Sequence, residues 1–342
     1  MDALAASGFG RAERPRDSGV AMRNVFMFSG QGSQYFQMGR PLYEQGGTFA
    51  RWMRRMDTAV RDLGGPAVLE LLYGDRSKAT PFDDLCASHP AIFMVEHALA
   101  QCLLEHGVEP DLTLGVSLGT VAAAVTAGCL DLEEALRWVV QQAAFVAEHG
   151  APGGMVAVLG APALHLLPGL QRHSVIAAYN GPAHWVLAAR AADLPSIEAT
   201  LKTHGTAFAS LPVRYPFHSP WLLQAADGAA VERLAPPGRA ARLPLVCCAA
   251  GGPVQTLSPA QLWRAALAPI RFDRAVAAVE AGWPACRYID LGPSGTLATL
   301  LKPLLPAGGP SRVHRVLSPY GGDRAALDAL LTAATPTVRR LA

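Results

Sequence analysis

The chain has 342 residues, about half of them hydrophobic, with 29 basic and 27 acidic side chains and a formal charge of +2. That length allows one large domain or two modest ones, and the near-neutral balance excludes the basic field that nucleic acid binding requires. No apolar run approaches the ~20 residues of a membrane span, and six cysteines without C-x-x-C spacing and ten scattered histidines give no metal or disulfide pattern.

Residues 1–22 mix charge, Gly and Pro without an apolar core, so they are not a secretory signal and read as a disordered extension. Met22 then opens the folded chain, and a cytoplasmic location follows by default. The first strand is expected at 24–28, ending in the turn-forming Ser29-Gly30-Gln31-Gly32-Ser33-Gln34. Helical spacing follows at Trp52, Met53 and Met56. It returns from about Pro90 through Ile92, Val95, Leu99 and Cys102-Leu103, stopping near Gly107. Residues 112–114 form a short strand running into Gly115-Val116-Ser117-Leu118-Gly119, and the alanine-rich stretch 121–127 reads as a helix directly after it. Strand, sharp turn and helix in that order belong to a parallel α/β layer. Asp131 caps a further helix carrying Trp138, Val139, Val140 and Phe145, broken by Gly and Pro at 150–154.

From Met155 the texture changes. Strands are expected at 155–159, 175–178, 185–188 and 207–213, with a helix at 194–204, which suits a small α+β insert. After His218 the α/β character returns, with strands at 243–246 and 287–291. No internal repeat is visible, and the last ten or so residues read as a loose tail.

Gly115-x-Ser117-x-Gly119 on a strand-to-helix turn has the form of a nucleophile elbow, whose glycines permit a tight backbone that projects the hydroxyl. The N–H of Leu118 would sit at a helix N-terminus, where it can stabilise an oxyanion. Alone the motif is weak, because Gly-Ser turns are common. Phe28-Ser29-Gly30-Gln31-Gly32-Ser33-Gln34 ends the first strand, where a second N–H donor is needed, and Tyr215-Pro216-Phe217-His218-Ser219-Pro220 holds a histidine between prolines. An ordinary α/β-hydrolase esterase would need an acid and a late histidine; only His314 lies near the C-terminus, without a convincing partner. A catalytically idle binding scaffold is opposed by the intact Ser117 and His218.

With these segments the chain resembles the malonyl-CoA/acyl carrier protein transacylase family, which includes the acyltransferase domains of polyketide synthases, over about residues 25–317. The marks are FSGQGSQ at 28–34, SHPAIF at 88–93, GVSLG at 115–119, NGP at 180–182, YPFHSP at 215–220, WRAALAPIRF at 263–272 and DLGPSGTL at 290–297. The resemblance implies an α/β fold: a hydrolase-like large domain with a parallel-sheet core (23–152 and 217–330), interrupted by a ferredoxin-like small α+β domain (153–216). A tail at 331–342 follows, and the active site lies in the cleft between the domains. It further implies that Ser117 attacks a thioester carbonyl while His218, held by a backbone carbonyl rather than an aspartate, accepts its proton. The oxyanion donors would be the backbone N–H groups of Gln31 and Leu118, and the covalent intermediate divides one acyl transfer into two exchanges. No bound cofactor is implied; the phosphopantetheine arm of the carrier protein, or CoA, enters with the substrate. Acyl carrier protein is the expected partner and a monomer the expected state.

The departures from that family bear on the substrate. Malonyl-specific members carry an arginine where this chain has Gln142, and glutamine supplies no charge to a free carboxylate. A buried carboxylate without its partner loses ~3 kcal/mol, roughly a hundredfold in affinity. Arg137 lies about 140° around the same helix; Arg214, near His218 in the chain, is the remaining candidate substitute. Val116 replaces a histidine, His89 a glutamine and Ser29 a proline. The expected pocket of Gln142, Val116, His89, Phe217, Tyr215 and Asn180 therefore fits carboxylate-free acyl groups. QYFQMG at 34–39, PAIFMVEHALAQ at 90–101 and YPFHSP resemble the stand-alone acyl hydrolase branch found beside trans-acyltransferase polyketide synthases. The expected function is hydrolysis of acyl groups from carrier protein through acyl-Ser117, with transfer of malonyl or another acyl group to a carrier protein as the alternative.

Overall fold

A computed structural model describes residues 22–224, 233–283 and 285–334. The expected extension up to residue 21 and residues 335–342 of the expected tail lie outside the described residues. In chain order the strands are β1 (Arg23–Phe28), β2 (Leu112–Gly115), β3 (Gly153–Leu159), β4 (Val175–Gly181), β5 (His184–Arg190) and β6 (Ala207–Ser210). They continue with β7 (Leu245–Cys247), β8 (Gly252–Val254), β9 (Ile270–Arg271), β10 (Cys286–Asp290) and β11 (Arg312–Arg315).

One sheet runs in the order β11-β10-β1-β2-β7-β8, with every pair parallel except β7 and β8. Val25, Phe26, Met27 and Phe28 are buried without alternation, because a central parallel strand is covered on both faces. The register Phe28↔Gly115 brings the ends of β1 and β2 level. The FSGQGSQ and GVSLG turns therefore emerge side by side at the carboxyl ends of the strands, where open α/β sheets bind ligands. Helices Leu85–Glu105 and Leu132–His149 pack together on this layer.

The helix expected to begin near Pro90 begins five residues earlier, at Leu85, with Asp84 accepting a hydrogen bond from the Cys86 N–H at 3.0 Å. Pro90 sits inside the helix and forfeits only its own ladder bond, a loss offset by nearly continuous burial of the surrounding turns. Other element boundaries agree to within a few residues; β6 stops at Ser210, short of the expected 213. Helix Asp323–Ala334 extends four residues into the stretch expected to be tail. No described helix is long and apolar enough to cross a membrane.

The second sheet has the order β6-β3-β5-β4-β9. Its first four strands and the helices Pro168–Gln171 and Leu194–Thr203 follow the β-α-β-β-α-β sequence of a ferredoxin-like unit. Val156, Val158, Trp185, Leu187, Ile197 and Leu201 form a core of their own between sheet and helices. The fifth strand is only Ile270–Arg271, which pairs parallel to β4 after the chain has returned to the larger layer. The molecule is thus an α/β fold with a parallel-sheet layer and a smaller, largely antiparallel one.

Candidate active site

At the end of β2 the chain turns through Ser117 at φ +54°, a left-handed conformation that costs a side-chain-bearing residue energy. The neighbouring glycines make the turn sterically possible. A Cβ on Gly119 would lie 2.2 Å from the Phe28 carbonyl oxygen, and one on Gly115 2.4 Å from Thr120 Cα. Gly30 brings the first turn against the second: its added Cβ would meet Ser117 Cβ at 2.8 Å.

His218 is likewise left-handed, at φ +59°. Its Nε2 lies 2.8 Å from Ser117 Oγ and its Nδ1 2.8 Å from the Ala268 carbonyl oxygen. A carbonyl only accepts, so Nδ1 carries the proton and Nε2 offers its lone pair to the serine hydroxyl. Ala268 follows the helix Pro259–Leu267 with extended backbone, and the His218 N–H is tied to the Ala266 carbonyl at 3.0 Å. Burial pushes the imidazole down to about 4, against the opposing pull of the Ala268 carbonyl, so at neutral pH it is uncharged. The pair has the geometry of a nucleophile and its general base, oriented by main chain rather than by a carboxylate.

The backbone N–H groups of Gln31 and Leu118 donate no hydrogen bond among the described residues, and Leu118 caps the helix Gly119–Thr126. The turn bearing Gln31 is fixed by its own side chains: Ser33 Oγ donates to the Gly30 carbonyl and Gln34 Oε1 accepts from the Gly32 N–H. Beneath it lies Glu96, a fully buried carboxyl that sequence reasoning missed. Its Oε1 accepts from the Ser29 N–H at 2.6 Å and from Ser29 Oγ at 2.8 Å. Burial raises its pKa well above the usual carboxylate range, against the pull of the two Ser29 hydrogen bonds. The departure of Ser29 from proline was the available signal, because only a non-proline residue supplies that N–H.

A cleft of about 180 Å³ opens between the two sheets at Ser117 and His218. Four of the expected pocket residues line it: Val116, His89, Phe217 and Asn180. Met155, Val186, Leu211 and Leu300 supply an apolar wall that no motif marked, joined by Ile270 from the WRAALAPIRF segment. Gln142 and Tyr215 do not line it, which corrects the expectation. Gln142 is buried on helix Leu132–His149, where its side chain hydrogen-bonds His89, itself on the cleft. Tyr215 turns its hydroxyl to the Ala147 carbonyl at 3.4 Å, with its ring edge against Phe217. Arg214 is no substitute for a buried cation, since it is 68% exposed and paired with Asp83 at 2.9 Å.

No Lys, Arg, Asp or Glu lines the cleft among the described residues. Its three histidines are all shifted down by burial: His89 to about 3, His218 to about 4, and His184 in the same direction. The lining is therefore neutral at physiological pH.

The sequence profile of the acyl transferase domain matches residues 25–303. The chain is 40% identical over 313 residues to the polyketide biosynthesis protein ThaF of Burkholderia thailandensis, covering 88% of this chain but 26% of ThaF, about a quarter of its length. It is 37% identical over 324 residues to the polyketide biosynthesis acyltransferase homolog BaeD of Bacillus velezensis, covering 93% of this chain and 98% of BaeD. Among solved structures, a loading acyltransferase from the avermectin modular polyketide synthase superposes with a TM-score of 0.81 at 27% identity, covering 91% of this chain and 99% of that one. With this profile match, these identities and the shared fold, the chain belongs to the acyl transferase domain family and is an acyltransferase-family enzyme.

Proposed function

We propose that this protein hydrolyses carboxylate-free acyl groups from acyl carrier protein during polyketide biosynthesis, through an acyl-Ser117 intermediate. Ser117 Oγ attacks the thioester carbonyl as its proton passes to His218 Nε2, and the N–H groups of Gln31 and Leu118 receive the developing oxyanion. Collapse expels the phosphopantetheine thiolate, which takes the proton from His218. Water then gives a proton to the same nitrogen and attacks the ester. The second collapse releases a carboxylic acid and returns the proton to Ser117.

The observation that carries the substrate reading is the neutral cleft: a malonyl carboxylate would be buried among His89, Val116 and apolar side chains with no cation to meet it. Polyketide biosynthesis is carried over from ThaF and BaeD, and hydrolysis rests on the segments resembling the stand-alone acyl hydrolase branch. The second reading is transfer to another thiol, supported by the similarity to the avermectin loading acyltransferase. Both use the same serine and base, and only the acceptor differs.

Intact-mass spectrometry on acetyl-, butyryl- and malonyl-loaded carrier protein, with and without an empty second carrier protein, separates them. Loss of acetyl and butyryl without gain on the acceptor, abolished by Ser117→Ala, is the expected result. Efficient movement of malonyl to the acceptor would overturn the hydrolase and substrate readings together.

A further inference from the structure

Two side chains on the cleft have polar atoms that nothing in the protein satisfies. Both the Oε1 and Nε2 of Gln31 are buried without a hydrogen-bond partner, and of the two buried ring nitrogens of His89 the Gln142 amide can meet only one. Buried polar groups in folded proteins are nearly always paired, so such atoms call for an explanation. The other such atoms among the described residues, in Ser88, Glu96, His97, Thr113 and Gln142, belong to residues that do not line the cleft. His89 and Gln31 differ in lining one cavity together with Ser117 and His218. The Phe217 ring lies between His89 and His218, with its centroid 5.8 Å from that of His89 and 6.5 Å from that of His218.

A neutral imidazole presents one N–H and one lone pair, and a primary amide presents both as well. Together they can satisfy a hydroxyl, which donates and accepts, or a keto oxygen, which accepts. They offer no net charge to a carboxylate. Gln142, off the cleft, is the hydrogen-bond partner of one His89 nitrogen and adds no charge to the subsite.

We propose that the side chains of His89 and Gln31 form a neutral polar subsite, and that the acyl groups this cleft favours carry an uncharged oxygen, a hydroxyl or keto group, close to the thioester carbonyl. This rests on Ser117 being the acylated residue and names the substrate class of that site. An apolar acyl chain leaves the free His89 nitrogen and both Gln31 atoms unpaired, whereas an oxygenated one of the same size pairs some of them.

The test uses a matched pair of pantetheine thioesters, 3-hydroxybutyryl and 3-methylbutyryl, in which a hydroxyl replaces a methyl at constant shape. The rate of acyl-Ser117 formation is read by intact mass, so the result does not depend on whether water or a thiol is the later acceptor. The full chain is expected to favour the 3-hydroxy compound by ~10-fold, the discrimination one buried hydrogen bond supplies. His89→Leu should bring the ratio close to one and His89→Gln should restore much of it; Gln31→Leu, which keeps the backbone N–H, should narrow it. A wild-type ratio at or below one overturns the proposal. So does a preference that survives unchanged in both leucine variants, since it then arises elsewhere, as it would if ordered water already fills the subsite. Malonyl pantetheine acylating Ser117 as fast as the hydroxy compound would sink the neutral-cleft reading specifically. No adduct with any thioester would remove the acyl-Ser117 reading, and the subsite with it.

Discussion

His218 is depressed to about 4 by burial and carries its only proton on Nδ1, toward Ala268. A base with that property is competent above its pKa and fails only as pH falls through it. The acid limb of kcat/KM for acylation is therefore expected near pH 4, well below the ordinary imidazole value of about 6.5. Rates measured from pH 3.5 to 8, with circular dichroism to exclude unfolding, check this; a limb at 6.5 would mean the ring is solvated in the working enzyme. Glu96 makes a second residue-scale case. Glu96→Gln keeps an acceptor for the Ser29 N–H and removes no volume, so activity near wild type is expected. Glu96→Ala orphans that N–H beneath the Gln31 turn, and stability should fall by about 1–3 kcal/mol with a larger loss in kcat than in KM. Thermal melts and steady-state kinetics separate the two. Ser117, His218, Val116 and Phe217 were legible because contiguous motifs present them. Glu96 was not, because a glutamate inside an apolar helix reads as a polar interruption until the strand end it supports is in place.

At the scale of elements, the segment from Ala268 to Arg271 does two jobs within four residues. Its first carbonyl orients His218, and its last two residues form β9 against β4, with the Arg271 guanidinium 4.5 Å from the Tyr179 ring centre. Pro269 between them holds Ala268 in the extended region, because the residue before a proline is barred from the helical one. Pro269→Gly should therefore lower kcat by up to ~10-fold with little change in KM, through looser aim of the imidazole. Kinetics beside a melting curve check it, and a fall in KM-limited rate alone would count against it. The long strands and helices were readable from periodicity. The two-residue β9 was not, since no pattern resolves over so short a span, and Pro90 misled because prolines are favoured at helix starts.

For the whole molecule, the change of texture at Met155 was sufficient to foresee two layers, while the apolar wall of the cleft emerged only when they met. Burial of neutral histidines has a collective cost in acid. His89, His97 and His218 stand at about 3, 4 and 4 in the fold, against about 6.5 unfolded. Below pH 6.5 the unfolded chain binds protons that the folded one refuses, so these three lower stability as pH falls toward 4. Asp290, raised to about 6, acts oppositely: the fold takes up its proton first, which offsets part of the loss below pH 6. His97 does not line the cleft; it is stacked 6.0 Å from Phe93, with both nitrogens buried and without a hydrogen-bond partner. His97→Phe should raise the melting temperature, and by more at pH 5 than at pH 7.5; an equal gain at both would show that the charge linkage is absent.

Ser117 and His218 share a left-handed backbone that glycine would occupy without strain. On the proposed mechanism, the residues that would make this fold most comfortable are thus the ones that would leave it inert. Ser117→Gly should unfold at a higher temperature than the wild type while forming no acyl adduct. A lineage of this chain released from its chemistry would accordingly drift first at its reactive positions, growing sturdier as it lost its purpose.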